Sequence, residues 1–284
     1  MSLILSIQSH VAFGYVGNKA AVFPLQCLGH DVININTVQF SNHTGYGSWT
    51  GQILSADHIR ELVQGLRDRG VLKNIKTVLS GYMGTDELGE IVLKTVAEIR
   101  SFHPDALYCC DPVMGDTGRG FFVKEGIPDF FRDRALPQAT IITPNQFELA
   151  WLTGVDIRTL EDAQLACRKA MELGSKIVLL TSLEHDKTPE QHIQMMVMDG
   201  DEAFIVTTPK LDVQVNGSGD CTSALFLGYY LKTGKIDQAL AMTTSAIYAV
   251  FEKTAELASR EMALIQAQDA FRDPVLRFNV EKIT

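Results

Sequence analysis

The chain has no long apolar run, no basic cluster and no metal-type cysteine spacing, and each absence closes off a class of function. No segment reaches the roughly 18 consecutive apolar residues of a membrane span, so no membrane partner is expected. The opening MSLILSIQSHV puts no basic residue ahead of its short apolar run. It therefore reads as no secretory signal, and a cytoplasmic protein is expected. Lys and Arg number 25 against 34 Asp and Glu, a net charge of −9. Nucleic-acid binding rests on a basic face, so none is expected. An acidic protein that binds an anionic ligand must use backbone N–H groups, helix N-termini or a metal instead. The five cysteines, Cys27, Cys109, Cys110, Cys167 and Cys221, read as reduced core thiols, with adjacent Cys109 and Cys110 facing opposite sides of one strand. Internal repeats, low-complexity tracts and Pro/Gly/Ser linkers are also missing, and residues 1–284 read as a single domain. No Gly-x-Gly-x-x-Gly follows a strand, and the nearest Walker-like stretch, Gly84 to Gly89, continues with Glu90 where Lys is required. A dehydrogenase or P-loop enzyme is not expected on that ground.

What is present is an alternation of short apolar runs and longer helical patterns. Strands are predicted at Leu3–Ile7, Val32–Asn36, Thr77–Ser80, Ala106–Asp111, Ile141–Thr143, Ile177–Thr181, Gln194–Met198 and Ala203–Thr207. Most are continuously apolar, as parallel strands covered on both faces must be. The last two flank Asp199-Gly200-Asp201, a hairpin signal, and are expected to be antiparallel. Helices are predicted at Ser55–Leu72, Asp86–Phe102, Glu161–Leu173 and Gly219–Leu231. The alternation implies βαβ units and a three-layer α/β/α fold.

Ligands of open α/β sheets bind beyond the carboxyl ends of the strands. The residues there are polar: Ser9, Gly81-Tyr82, Asp111-Pro112, Thr143-Pro144-Asn145 with Glu148, and Thr181-Ser182. The strongest local signal is Asn216-Gly217-Ser218-Gly219-Asp220 ahead of an apolar helix. Two glycines admit a ligand close to the backbone, and the helix start offers free N–H groups and a positive dipole end. Asp220 itself reads two ways, as a carboxylate that merely stabilises the dipole or as a general base beside a phosphate.

Gly217-Ser218-Gly219-Asp220 resembles the anion-hole motif of the ribokinase-like kinases. Ser9-His10-Val11, Gly14-Tyr15-Val16-Gly17-Asn18 and Val38–Tyr46 resemble the substrate motifs of pyridoxal kinases. Ser80-Gly81-Tyr82, Cys110–Asp116 and Ile142–Glu148 continue the match in order. The resemblance runs from about residue 3 to 250, and the last thirty or so residues carry no motif. It implies a ribokinase-like fold, a central mostly parallel sheet with an antiparallel edge hairpin.

The resemblance also implies transfer of the ATP γ-phosphoryl group to the 5′-hydroxymethyl of pyridoxal, with pyridoxine and pyridoxamine as further acceptors, in vitamin B6 salvage. Asp220 would be the general base and the backbone of Gly217, Ser218, Gly219 and Asp220 the anion hole. Ser9, Thr44, Gly45 and Tyr82 would contact pyridoxal, with His10 and His43 as structural hydrogen bonders. Asp111, Thr143, Asn145, Glu148, Thr181, Ser182, Thr208, Pro209, Lys210 and Leu211 would serve ATP, with Asp111 and Glu148 recruiting Mg2+. A monovalent cation such as K+ and a homodimer are further family expectations. Gly115–Phe122 reads as a mobile flap, and the short span between Thr207 and Gly217 leaves the adenine side unassigned. A hydroxymethylpyrimidine or sugar kinase of the same fold, or a B6-binding protein of low turnover, stays open at this level.

Overall fold

A computed structural model describes residues 2–283 of the chain. Its strands are β1 (Leu3–Val11), β2 (Asp31–Phe40), β3 (Gly51–Ile53), β4 (Thr77–Ser80), β5 (Leu107–Cys110), β6 (Gly115–Asp116), β7 (Gly120–Phe121), β8 (Ile141–Ile142), β9 (Ile177–Leu183), β10 (His192–Asp199), β11 (Glu202–Pro209) and β12 (Val280–Ile283). Ten of them form one sheet in the order β12-β11-β10-β9-β8-β5-β4-β1-β2-β3, and β6 and β7 form a separate small hairpin. The pairs β1·β2, β1·β4, β4·β5, β5·β8 and β8·β9 are parallel. The β10·β11 hairpin is antiparallel, as Asp199-Gly200-Asp201 predicts. It does not end the sheet, because β12 pairs outside β11 and β3 closes the other edge against β2, both antiparallel.

The helices are α1 (Asn18–Cys27), α2 (Ala56–Asp68), α3 (Asp86–Phe102), α4 (Ile127–Phe130), α5 (Gln146–Thr153), α6 (Leu160–Glu172), α7 (Ser218–Thr233), α8 (Ile236–Glu256) and α9 (Asp269–Arg272). Strand alternation divides the core in two. Leu5, Val78, Tyr108, Cys110, Ile142 and Leu180 pack with α2–α6, while Ile4, Leu79, Cys109, Ile141 and Leu179 pack with α1, α7, α8 and α9. Cys109 and Cys110 thus serve opposite layers, and all five cysteines are free thiols. No helix among the described residues is long and apolar enough to cross a membrane.

Side-chain caps set several helix starts. Ser55 accepts the His58 N–H, Thr85 accepts the Leu88 N–H, and Thr159 with Asp162 forms a reciprocal capping box. α7 starts differently, on Gly217 in the left-handed region (φ 80°), which has no side chain to offer. The N–H groups of its first turn are left without a side-chain cap, at the end of the sheet where the parallel strands finish.

Candidate active site

Two glycines bring the α7 start against β1. A Cβ on Gly217 would stand 2.0 Å from the carbonyl oxygen of Tyr15, so the turn admits glycine alone. Gly17 (φ 55°) is equally constrained, since a Cβ there would meet the carbonyl oxygen of Ser9 at 2.1 Å and its Oγ at 2.3 Å. The Gly17 N–H donates to Asp220 Oδ2 at 2.8 Å. Ser9, Gly17 and Asp220 therefore stack in one place. Ser9 lies inside β1 and not after it, beside a register shift in which β2 carries one extra residue between Gln8 and His10.

Below this stack lies Asp111, 4% exposed. Its Oδ2 accepts the Ser223 hydroxyl at 3.1 Å, Ser223 and Thr143 share a hydroxyl hydrogen bond at 2.7 Å, and a Cβ on Gly219 would lie 3.8 Å from Asp111 Oδ2. Glu148 joins from α5. Its Oε1 accepts the N–H groups of Met114 and Gly115 at 2.9 and 3.4 Å, and its Oε2 that of Asn145 at 2.9 Å. Asn145 completes a capping box by accepting the Glu148 N–H at 2.9 Å, and its amide donates to the Gly115 carbonyl at 2.8 Å. The pair thus caps α5 and clasps the first strand of the flap.

Burial pushes Asp220 up to about 6, with the Gly17 N–H opposing, and Glu148 up to about 7 against its three N–H donors. Asp111 is raised well above the carboxylate range, first by burial and then by the charges of Glu148 and Asp220. None of the three has a cationic side chain as partner among the described residues. Nor does any group of three or more His, Cys, Asp or Glu side chains there form a metal cage. Hard oxygens lacking a counter-charge fit a divalent cation that takes one or two carboxylates and draws its other ligands from phosphates and water.

Beside the α7 start opens a cavity of about 610 Å³. Thr181 and Ser182 at the end of β9, Thr208, Pro209, Lys210 and Leu211 at the end of β11, and Gly219 all line it. Lys210 pairs with Glu184 at 2.5 Å. Gly45 reaches its rim, whereas Ser9, Thr44, Tyr82, Asp111, Thr143, Asn145, Glu148, Gly217 and Asp220 lie outside its lining. Val213, Val215, Ile247 and Phe251 supply the apolar wall left unassigned by sequence, and Asp116 and Arg119 bring the flap to it. The α8 face escaped sequence reading because its apolar residues carry no motif.

Thr44, Gly45 and Tyr46 form a short 3-10 turn in which the Gly45 N–H donates to His43 Nδ1 at 3.1 Å. His43 thus accepts a backbone hydrogen bond, and burial and the nearby Arg119 lower its pKa below the ordinary imidazole value. His10 leaves its buried Nδ1 unpartnered. Tyr82 is half-buried, and burial raises its hydroxyl. Residues beyond 250, where the sequence carries no motif, nonetheless reach the site: Arg260 lines the cavity, and Glu261 accepts the Tyr15 N–H at 3.0 Å.

The family described as phosphomethylpyrimidine kinase matches residues 22–264. The pyridoxal kinase PdxY of Rubrobacter xylanophilus is 52% identical over 281 residues, covering 99% of this chain and 97% of that protein. The Leishmania donovani pyridoxal kinase in complex with ADP and ginkgotoxin superposes with a TM-score of 0.94 at 32% identity, over 100% of both chains. The same enzyme with ADP and pyridoxamine gives 0.92 at 32% identity, again over 100% of both. With identity sustained over nearly the whole length and the same ribokinase-like layers, the chain belongs to the pyridoxal kinase family.

Proposed function

We propose that this chain transfers the γ-phosphoryl group of ATP to the 5′-hydroxymethyl group of pyridoxal, yielding pyridoxal 5′-phosphate and ADP, with Asp220 as general base. The observation that carries this reading is the position of Asp220. It is tied to the Gly17 N–H beside Ser9, in the first turn of a helix whose Gly219 opens on the nucleotide-sized cavity. A carboxylate lifted to about 6 is largely ionised at neutral pH yet basic enough to take the hydroxyl proton as the P–O bond forms. The N–H groups of Ser218, Gly219 and Asp220 face the charge that develops on the transferring group.

Ser9 and Thr44 offer hydroxyls to the polar edge of the ring, Tyr82 its ring face or hydroxyl, and Gly45 a close backbone approach. Thr181, Ser182 and Thr208–Leu211 hold the nucleotide, with Thr143 supporting Asp111 through Ser223. Mg2+ would be held by Asp111, directly or through water. Glu148 and Asn145 then shape the Met114–Gly115 segment beside it and add negative charge. The ion supplies charge neutralisation between the phosphates. K+ is the monovalent cation assigned to backbone oxygens at the ends of β9 and β11.

We also assign residues 1–284 to one catalytic domain, since β1 and β12 share a sheet, and the working form to a cytoplasmic homodimer in B6 salvage. Sedimentation as a monomer at micromolar concentration would refute the dimer. An ADP-release assay with pyridoxal, pyridoxine, pyridoxamine and hydroxymethylpyrimidine tests the activity itself. Turnover of the B6 vitamers is expected. Tight pyridoxal binding without ADP, or preference for the pyrimidine, would overturn the reading.

A further inference from the structure

We propose that Glu261, a residue outside every motif, is a positioning residue that sets the vitamer loop against the base-bearing helix; this rests on the functional reading above. Its carboxylate takes two donors from two different loops. Oε2 accepts the Tyr15 N–H at 3.0 Å and Oε1 accepts the Tyr46 hydroxyl at 2.5 Å. Tyr15 belongs to the segment whose carbonyl packs on Gly217 and whose Gly17 N–H holds Asp220. Tyr46 ends the turn that carries Thr44 and Gly45. One side chain therefore spans the two halves of the site, the base on one and the ring contacts on the other.

Three further observations show that the clamp is built. Gly14 (φ 91°) clears its path, because a Cβ there would stand 2.6 Å from Oε2. The Thr44–Tyr46 turn buries none of its residues, so its anchorage comes from the Tyr46 ring, which sits under the Arg260 guanidinium at 4.8 Å and against the edge of Phe13 at 6.2 Å. The platform beneath is fixed as well. Ser259 Oγ binds both the N–H and the carbonyl of Glu261, Ala258 accepts a left-handed conformation (φ 47°), and Met262, Ala263 and Leu264 that follow are buried. A carboxylate on so fixed a mount resists relative motion of the loops it joins, and sub-ångström placement is what a positioned base needs.

The test compares Glu261→Gln, Tyr46→Phe and the double variant in the full chain. An amide keeps the volume but cannot accept at both positions, and phenylalanine keeps the ring contacts while removing the hydroxyl. Expected are a roughly tenfold or larger fall in kcat/KM for pyridoxal in each single variant and a double variant no worse than the worse single one. The KM for ATP should stay within about twofold, and pyridoxal affinity without nucleotide, read by intrinsic fluorescence, should fall in parallel. A lowered Tm with unchanged kinetic constants would reduce the contact to a structural tie and overturn the proposal. Equal losses for both substrates would overturn it too. Failure of the functional reading looks different: the wild type would release no ADP with pyridoxal, while the binding comparison still decides the role of Glu261.

Discussion

Replacing Asp220 with asparagine should remove most turnover and make the folded protein more stable at the same time. The amide oxygen still accepts the Gly17 N–H, so the loop contact survives while the base is gone. Burial raises this carboxyl from an ordinary 3.8 to about 6. At about 1.4 kcal/mol per tenfold change in proton affinity, keeping it ionised in the folded chain costs at most about 3 kcal/mol. The side chain retains partial access to water, which lowers the expected figure to about 1–2 kcal/mol. Each kcal/mol moves the Tm of a chain of this size by about 2–4 °C, so the variant should melt about 3–6 °C higher at pH 7.5. The folded carboxyl holds its proton more tightly than the unfolded one, so wild-type stability declines as pH rises from about 3.8 to about 6 and is then level. The advantage of Asp220→Asn should accordingly be smallest below pH 4, grow between about pH 4 and 6, and stay constant from there to pH 8. Relief of Asp111, which the Asp220 charge also disfavours, acts in the same direction. Thermal melts across pH 4–8, run beside ADP release with pyridoxal, read both effects. Turnover should fall roughly 10²–10⁴-fold, and the wild-type kcat/KM should drop on the acid side near pH 6. A variant that melts below the wild type throughout, or that turns over near normally, would refute the reasoning.

Gly217→Ala should lower stability by at least about 2–3 kcal/mol, since it adds a left-handed alanine and a Cβ 2.0 Å from the Tyr15 carbonyl oxygen. Thermal melting and ADP release check it, and an unchanged Tm would mean that the turn is not packed as described. Glu148→Gln should raise the Mg2+ concentration for half-maximal turnover, because a charge beside Asp111 is lost and the Met114–Gly115 clasp is weakened. A metal titration that superposes on the wild type would remove Glu148 from metal recruitment. Lys210→Ala should raise the KM for ATP a few-fold, as expected of one solvent-exposed charge at the cavity wall, and leave the KM for pyridoxal unchanged. A shift in the pyridoxal constant instead would place Lys210 on the wrong side of the site.

The central strands were legible because burial on both faces enforces unbroken apolar runs: Thr77–Ser80 falls on β4 as predicted, and Asp86–Phe102 on α3 with Thr85 as its cap. The predicted helix over Ser55–Leu72 stops at Asp68, where Gly70 turns left-handed and a 3-10 segment follows. α1 was hidden by Pro24 within it, and α8 and β12 by residues that signal packing without motif. The candidate site divides on the same physical line. Asp220, Asp111 and the candidate nucleotide residues Thr181, Ser182 and Thr208–Leu211 declare themselves because their chemistry sits next to a strand end or a glycine turn. Arg260 and Glu261 do not, because their partners Tyr46 and Tyr15 are some two hundred residues away in the chain and only the fold joins them.

The net charge of −9 gains a mechanism from this arrangement. Three carboxylates, Asp111, Glu148 and Asp220, gather beside the cavity proposed for the nucleotide, and burial holds each less acidic than it would be in water. A divalent ion entering with the nucleotide would offset the cost of burying these charges and the repulsion felt by Asp111, so metal and ATP binding should release protons and favour the ionised form of Asp220. The free base would then be strongest in the absence of the phosphates and best poised in their presence, and proton release on Mg-ATP binding in weakly buffered solution near pH 6.5 measures the coupling. Nucleotide binding with no proton uptake or release at that pH would show that the three carboxylates titrate independently of the metal.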